Sequence, residues 1–503
     1  MTLLALIAPY APVVVAPLGL SLAATSRLTR RLVYPAGALA AASFFFEQGW
    51  LAALLVLPWF AFTIEIARQG ALRMLARGTK PVEEFALHAG LLYLAMGGFW
   101  LVLSRLGERP LGFRDEIILL TAIHFHYAGF AACLFTAMTG RMLGEQADSR
   151  LYRWAAWAVI GGTPLLAVGI SVSRWIEIVS AFWLALGVVL VTGLALLNSL
   201  LGRTSMATSL CLSIAAASTV ISMGLAAAYA VSEFQGALWL PIPRMAVLHG
   251  LANALGLSTA GLVGYLLTRP AERYPRSHIP FSTLRGGARI GPEFFREIGP
   301  ARGLCDKFDA YSHVNPHPAV THFYENTLDY EVEVIPHWEP LFRLPGMLFL
   351  WAAAKVGQLG LPSRTEAVES RIFWIAPEGR DNPRAWVRTN RRDGAVIYAA
   401  AYSSHVTAGE RYMNIAFPLP GGNMTSILKL APYNDGVLLS TTWESKPGGD
   451  QGVYAILPGL RLRLALDETI WVWPEAGALA ARHDMWLWGM RYLRLEYRLF
   501  RRL

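Results

Sequence analysis

Three histidines lie in stretches that are otherwise apolar, and they are the residues of this sequence best suited to chemistry. His124 and His126 are two positions apart in the segment HFHYAGF, which continues with Tyr127. His249 lies in a later apolar stretch, and Asn253 follows four residues after it. That spacing puts His249 and Asn253 on one face of a helix. Because polar and ionisable groups are costly inside a membrane, we expect these five residues to line a ligand or substrate path.

The same histidines can also be interpreted as metal ligands, because neutral imidazole is the commonest ligand of protein-bound metals. On one α-helix His124 and His126 point about 200° apart, so both cannot face one ion without a break in the helix. One of them could instead lie opposite His249, giving two imidazole ligands for haem or a transition metal. A third interpretation is that the histidines only form hydrogen bonds between helices. The sequence leaves all three open.

The elements that must position these residues are predicted membrane spans. The chain has 503 residues, of which 54% are apolar and only 16% charged. A helix needs about 20 mostly apolar residues to cross a bilayer. Nine segments qualify: 3–24, 33–46, 50–67, 84–104, 116–138, 154–173, 175–198, 206–231 and 245–268. Because the second is short and is separated from the third only by Glu47, Gln48 and Gly49, eight spans is the alternative count.

The basic residues between the spans predict the orientation. With the N-terminus outside, the inner loops carry eleven Lys and Arg residues: Arg27, Arg30, Arg31, Arg68, Arg73, Arg77, Lys80, Arg141, Arg150, Arg153 and Arg203. The outer loops carry five: Arg105, Arg109, Arg114, Arg174 and Arg244. The positive-inside rule then puts the C-terminal part in the cytoplasm. The formal charge of +9 is explained in the same way, by loops facing anionic lipid rather than by nucleic-acid binding.

The chain after the last span reads as a separate water-soluble domain. The predicted organisation is a transmembrane domain over 1–270, a linker and irregular arm over 271–318, a β-rich domain over 319–480 and a basic amphipathic helix over 481–503. Nine strands are predicted at 326–335, 369–376, 384–389, 395–402, 411–417, 423–431, 436–443, 452–457 and 461–473. Short strands with regular turns indicate an antiparallel sheet that curls or closes. The apolar run at 347–357 is too short to cross a bilayer, and is either a core helix or a helix on the membrane surface.

The predicted fold is therefore multi-domain, with an all-α polytopic bundle followed by a β-rich α+β soluble domain that has a curved antiparallel sheet. A curved sheet with an apolar interior can hold a small hydrophobic ligand. The sequence contains no GxSxG, GxGxxG, HExxH or P-loop motif, which favours a non-enzymatic protein. The leading hypothesis is a transporter or a protein that handles a hydrophobic ligand. The alternative is a membrane redox enzyme with His124, His126 and His249 as haem or metal ligands.

Several stretches resemble the YndJ-like family of bacterial membrane proteins. They are APYAPVVVAPLGL, HFHYAGF and RMAVLHGLANALGLSTAGLVGY in the first half, and GQLGLP, YMNIAFPLPGGNMTSILKL and LDETIWVWP in the second. HFHYAGF is the most specific of them, and together they extend over nearly the whole chain. The resemblance implies His124, His126, His249 and Asn253 as family motif positions. It also implies a class of putative transporters located in the bacterial inner membrane.

Overall fold

The computed structural model describes residues 4–23, 26–237, 239, 241–274, 279–287, 295–355, 366–380, 382–391, 394, 396–442, 449–475 and 477–502. The chain divides into two compact units. The first, the helical unit, consists of Met1–Met74 and Thr79–Arg273, and the second, the β unit, of Leu75–Gly78 and Tyr274–Leu503.

Nine helices follow one another in the described part of the helical unit. They are α1 (Leu6–Leu22), α2 (Arg27–Ala42), α3 (Trp50–Arg77), α4 (Val82–Leu106), α5 (Asp115–Asp148), α6 (Arg150–Val172), α7 (Arg174–Arg203), α8 (Met206–Phe234) and α9 (Ile242–Thr268). Seven of them, α3 to α9, are long and apolar enough to cross a membrane. The predicted polytopic helix bundle is confirmed, and α1 and α2 are the shorter helices.

Different loops and helix ends contact one another at the two ends of the helical unit. At one end, Arg141 binds Glu84 through two hydrogen bonds of 2.7 and 2.8 Å, and Arg273 pairs with Glu83 at 3.1 Å. At the other end, the amide of Gly49 donates to the carbonyl oxygen of Arg105 at 2.8 Å. Loops that were predicted to share a side of the membrane thus lie at the same end of the bundle.

The β unit is built on an antiparallel sheet. Its strands are β1 (Glu297–Pro300), β2 (Tyr330–Trp338), β3 (Glu366–Ile375), β4 (Arg384–Asn390), β5 (Val396–Thr407), β6 (Glu410–Leu419), β7 (Gly422–Tyr433), β8 (Gly436–Ser440), β9 (Gly452–Leu457), β10 (Leu460–Arg463), β11 (Leu466–Glu475), β12 (Ala478–Leu487) and β13 (Met490–Arg501). Neighbours run in the order β7-β6-β5-β4-β3-β2-β13-β12-β11-β8, and β8 also pairs with β7. The described strands therefore close into a barrel, and β9 and β10 extend from β7.

Side chains that alternate along the strands form one continuous core on the inner face of this barrel. Trp386, Ile415, Leu428 and Leu495 belong to that core, although they come from four different strands. The helix α10 (Pro318–Glu325) adds Phe323 to the same core. The expected curved antiparallel sheet is confirmed.

The predicted amphipathic helix at 481–503 was wrong, because this segment forms β12 and β13. The alternation of Leu493, Leu495 and Leu499 with charged residues has a period of two, which places the leucines on the inner face of a strand. The basic composition of the segment had hidden this alternation.

The predicted apolar helix is present as α11 (Arg343–Lys355). Leu344, Leu348 and Trp351 are 64%, 60% and 59% exposed, so α11 does not form the core of the barrel. Of the two interpretations of this run, the core helix was wrong.

Candidate functional site

Among the described helices of the bundle, four contain π-helical turns, and the turns of three of these helices lie against one another. They are Ala11–Val15 in α1, Phe125–Ala131 in α5, and Ala246–Gly250 with Ala252–Ala260 in α9. Each of the three helices contacts the other two through these turns. In α1 the cause is local, because prolines supply no N–H for the regular helical hydrogen bonds. π-Helical turns occur frequently at functional sites, so their convergence marks the candidate site of this unit.

His249 and Asn253 form the polar centre of this site together with Ser222 of α8. His249 Nδ1 is 2.9 Å from the carbonyl oxygen of Ser222, which can only accept, so Nδ1 carries the proton. His249 Nε2 is then an acceptor for Asn253 Nδ2 at 3.2 Å. Asn253 Oδ1 accepts from Ser222 Oγ at 3.2 Å. The predicted helix face is thus a hydrogen-bonded group that joins α8 to α9.

The two histidines of α5 have different surroundings. His124 Nδ1 donates to the carbonyl oxygen of Leu120 at 2.8 Å, and its ring is close enough to His249 for an electrostatic interaction. Within the described residues, its Nε2 has no hydrogen-bond partner. His126 is buried on another side of α5, where its Nε2 accepts from Trp59 Nε1 at 3.2 Å. His124 therefore belongs with His249, and His126 joins α5 to α3.

Tyrosine hydroxyls link α1 to the same region. Tyr127 donates to the carbonyl oxygen of Ile7 at 2.9 Å. The hydroxyl of Tyr10 lies 2.9 Å from Thr259 Oγ1 in α9. The arrangement offers neutral donors and acceptors, which suit hydrogen bonding to a polar, uncharged group better than the transfer of charge.

The three histidines predicted as metal ligands are not brought together. His126 is held by Trp59, and both ring nitrogens of His249 are engaged by neighbouring groups. In the part of the chain that the structure describes, no group of three or more His, Cys, Asp or Glu side chains is arranged to hold a metal ion. The arrangement of His124, His126 and His249 therefore does not fit a three-histidine metal centre.

Sequence reasoning missed two groups of residues in this unit. Ser222 and Thr259 are small polar residues in apolar helices, and their types alone give no signal of a site. The pair Glu83 and Glu84 did carry a signal, because two adjacent acids open a predicted span. Both are almost completely buried, and their partners are arginines distant in the sequence, Arg273 for Glu83 and Arg141 of α5 for Glu84.

The fold and this site define a class: a polytopic membrane protein with a polar group embedded in its helix bundle, joined to an antiparallel β-barrel. A family model described as "YndJ-like protein" matches residues 6–257. The Bacillus subtilis (strain 168) protein called "Uncharacterized membrane protein YndJ" is 30% identical over 458 residues, covering 88% of this chain and 82% of that protein. No solved structure matches the chain. The chain belongs to the YndJ-like family, as the sequence motifs indicated, and its similarity to the relative extends into the β unit.

Proposed function

We propose that this protein is a transporter-like or ligand-handling protein of the bacterial inner membrane, and that its membrane-embedded site is formed by His124, His249 and Asn253. The observation that supports it most directly is the unpartnered Nε2 of His124 beside the His249–Asn253 pair. That nitrogen is available to accept a hydrogen bond from a hydroxyl, amide or lipid headgroup. Tyr127 and His126 flank the site and set the packing of α5.

Bundle stability alone is a weaker explanation for these groups. Hydrogen bonds between membrane helices contribute on average only about 0.6 kcal/mol each, so they stabilise the bundle little. The π-helical turns weaken the regular backbone bonding of the same three helices. A site that recognises a polar group accounts for both features.

We also propose that the N-terminus lies outside the cell and the β unit in the cytoplasm, on the basis of the charge difference between the loops. In a variant without the native cysteines, we expect Leu111→Cys to react with a membrane-impermeant maleimide in intact cells. Leu201→Cys should react only after the membrane is permeabilised. Both side chains are well exposed, at 79% and 70%, so accessibility to the reagent rather than burial decides the result. The reverse pattern would contradict this orientation.

For the site itself, we expect native mass spectrometry in mild detergent to show a bound mass on the wild-type protein. Asn253→Leu removes the amide that bonds to both Ser222 and His249, and it should abolish this bound mass. Movement of an NBD-labelled phospholipid, measured in proteoliposomes by dithionite quenching, tests directly whether the ligand is a lipid. The same variant should then lower the rate by about ten-fold or more, as expected when about 1.4 kcal/mol of binding is lost.

The matched control is Thr192→Val, which removes a different buried polar group, a hydroxyl, from the bundle. Thr192 bonds only within its own helix, to the carbonyl oxygens of Val188 and Val189. It should keep both the bound mass and the lipid movement. A wild-type protein with no bound mass and no lipid movement above that of empty liposomes would refute the proposed function.

A further inference from the structure

A buried arginine faces the inside of the barrel. Arg388 lies on β4 directly opposite Tyr398 of β5, and it shares a face with Trp386, which belongs to the inner core. The exposed fractions of Arg388 and Trp386 are only 9% and 4%. Arginine is almost never this deeply buried without a partner for its charge.

A second buried arginine on the same strand, Arg384, does have a carboxylate partner. Arg384 is four residues earlier and also faces the inside, opposite Tyr402. It pairs with Asp306 at 2.5 Å and donates to the carbonyl oxygen of Gly303 at 2.7 Å. Within the described part of the chain, Arg388 forms no ion pair with a carboxylate.

The contacts that Arg388 does make leave donors unused. Its guanidinium lies 3.7 Å from the ring centre of Trp386 and 4.6 Å from that of Tyr398, and it is hydrogen-bonded to Tyr497. Among the residues that the structure describes, neither Arg388 Nε nor Trp386 Nε1 has a hydrogen-bond partner. A cation–π contact stabilises a buried charge by less than the desolvation of the ion costs, even after the protein relaxes. The rings alone do not offset the burial of this charge.

The neighbouring hydroxyls are also suited to an anion. The hydroxyl oxygens of Tyr398 and Tyr402 are 2.5 Å apart. Burial raises the pKa of Tyr402 to about 12, against the opposing effect of Arg388, so the phenol is protonated at neutral pH and can donate. Apart from these groups and the Glu468–His483 pair, the inner face carries apolar residues such as Ile415, Leu428 and Leu495.

Glu468, whose carboxylate also faces the inside, is already engaged elsewhere. It lies 2.8 Å from His483 Nε2. Burial raises the pKa of Glu468, but the hydrogen bond and charge of His483 together with a hydrogen bond from Ser426 outweigh this and hold the pKa below its ordinary value. Among the described residues, its Oε2 is paired with His483, its Oε1 has no hydrogen-bond partner, and no ion pair joins Glu468 to Arg388.

We infer that the barrel binds an anionic amphiphile, with its carboxylate or phosphate head on Arg388 and Trp386 and its apolar tail along the inner core. An anion supplies the acceptors that Arg388 Nε and Trp386 Nε1 lack, and guanidinium binds planar carboxylates and phosphates well. The apolar lining selects a head that carries a hydrocarbon tail over a free ion. This inference concerns the β unit and does not depend on the site proposed in the bundle.

The test is photo-crosslinking of the full chain in detergent with a diazirine-bearing palmitic acid, followed by peptide mapping. We expect label on the inner face of β4 to β7, and about ten-fold or more weaker labelling in Arg388→Met, because a charge-assisted anchor is lost. Excess palmitate or lysophosphatidate should compete, and the stronger competitor identifies the head as carboxylate or phosphate. Methyl palmitate and inorganic phosphate should not compete.

Two variants separate a ligand anchor from a structural arginine. Arg498→Met changes an exposed arginine of β13 and should keep the wild-type label. Trp386→Phe keeps a ring beneath Arg388 but removes the indole N–H, and should weaken labelling while the melting temperature is retained. Trp386→Phe therefore distinguishes a ligand anchor from a structural role even if Arg388→Met does not fold. Any of three results would overturn the inference: the barrel is not labelled, Trp386→Phe is labelled as strongly as the wild type, or methyl palmitate displaces the probe.

Discussion

Replacing Arg141 by methionine is expected to destabilise the helical unit by about 3–5 kcal/mol, because it leaves the carboxylate of Glu84 buried without its ion pair. The side chains of Arg141 and Glu84 are only 10% and 3% exposed. Their pair joins the start of α4 to the end of the long α5 helix, so its loss separates two central helices. The melting temperature of the purified protein, read by fluorescence-detected size exclusion, measures the effect.

A second arginine–carboxylate pair in the same unit provides the control. Arg68 binds Glu65 with distances of 2.7 and 2.8 Å, nearly the same geometry, but the two side chains are 59% and 48% exposed. Exposed pairs contribute about 0–1 kcal/mol, so Arg68→Met should change the melting temperature little. The double variant Arg141→Met/Glu84→Gln should recover part of the loss, since it also removes the buried charge of Glu84. Equal effects at Arg141 and Arg68 would mean that Glu84 is hydrated.

The membrane helices were predictable from the sequence because their signal is local. Runs of about 20 apolar residues and the loops between them fix where helices begin and end. The seven longest helices lie where spans were predicted, and the proline-rich first segment is a helix with a π-helical turn. Whether the short α1 and α2 cross the bilayer depends on how they pack, which residue composition does not determine.

The strands were predicted less completely, because their partners are distant in the sequence. The turns at Pro420–Gly422 and Asn434–Gly436 marked β6, β7 and β8 correctly. The range 461–473 was assigned to one strand, whereas the structure has both β10 and β11 there. Closure of the barrel also depends on the pairing of β8 with β11 and of β2 with β13, and no short segment of sequence encodes these pairings.

The candidate sites show the same division between local and distant information. The helical spacing of His249 and Asn253 was sufficient to place them together, and HFHYAGF indicated that His124 and His126 would diverge. Which of these two would approach His249 depended on helix packing. Arg388 resembles any arginine in an amphipathic strand, and only the closed sheet shows that it faces inward.

The close packing of α8 against α9 leads to the second large effect, at Gly256. This glycine lies in the π-helical part of α9, and a Cβ atom there would overlap the side chain of Ser218 in α8. Gly256→Leu should therefore force the two helices apart, at a cost of about 1–3 kcal/mol. Because Ser222 and Asn253 bond across the same contact, the variant should also lose any mass bound at the proposed site.

The control lies on α8 itself. At Gly224 an added Cβ meets nothing within 4 Å, so Gly224→Leu should change neither the melting temperature nor the bound mass. A compensating pair makes the argument specific: Gly256→Ser should destabilise the unit, and adding Ser218→Gly should restore it by returning the lost volume. If Gly256→Leu melts like wild type, α8 and α9 do not pack at this contact. One further outcome is that the compensating pair restores the melting temperature but not the bound mass. In that case Ser218 itself is part of the binding site. The reason is that the pair conserves the volume at the contact and moves only the hydroxyl.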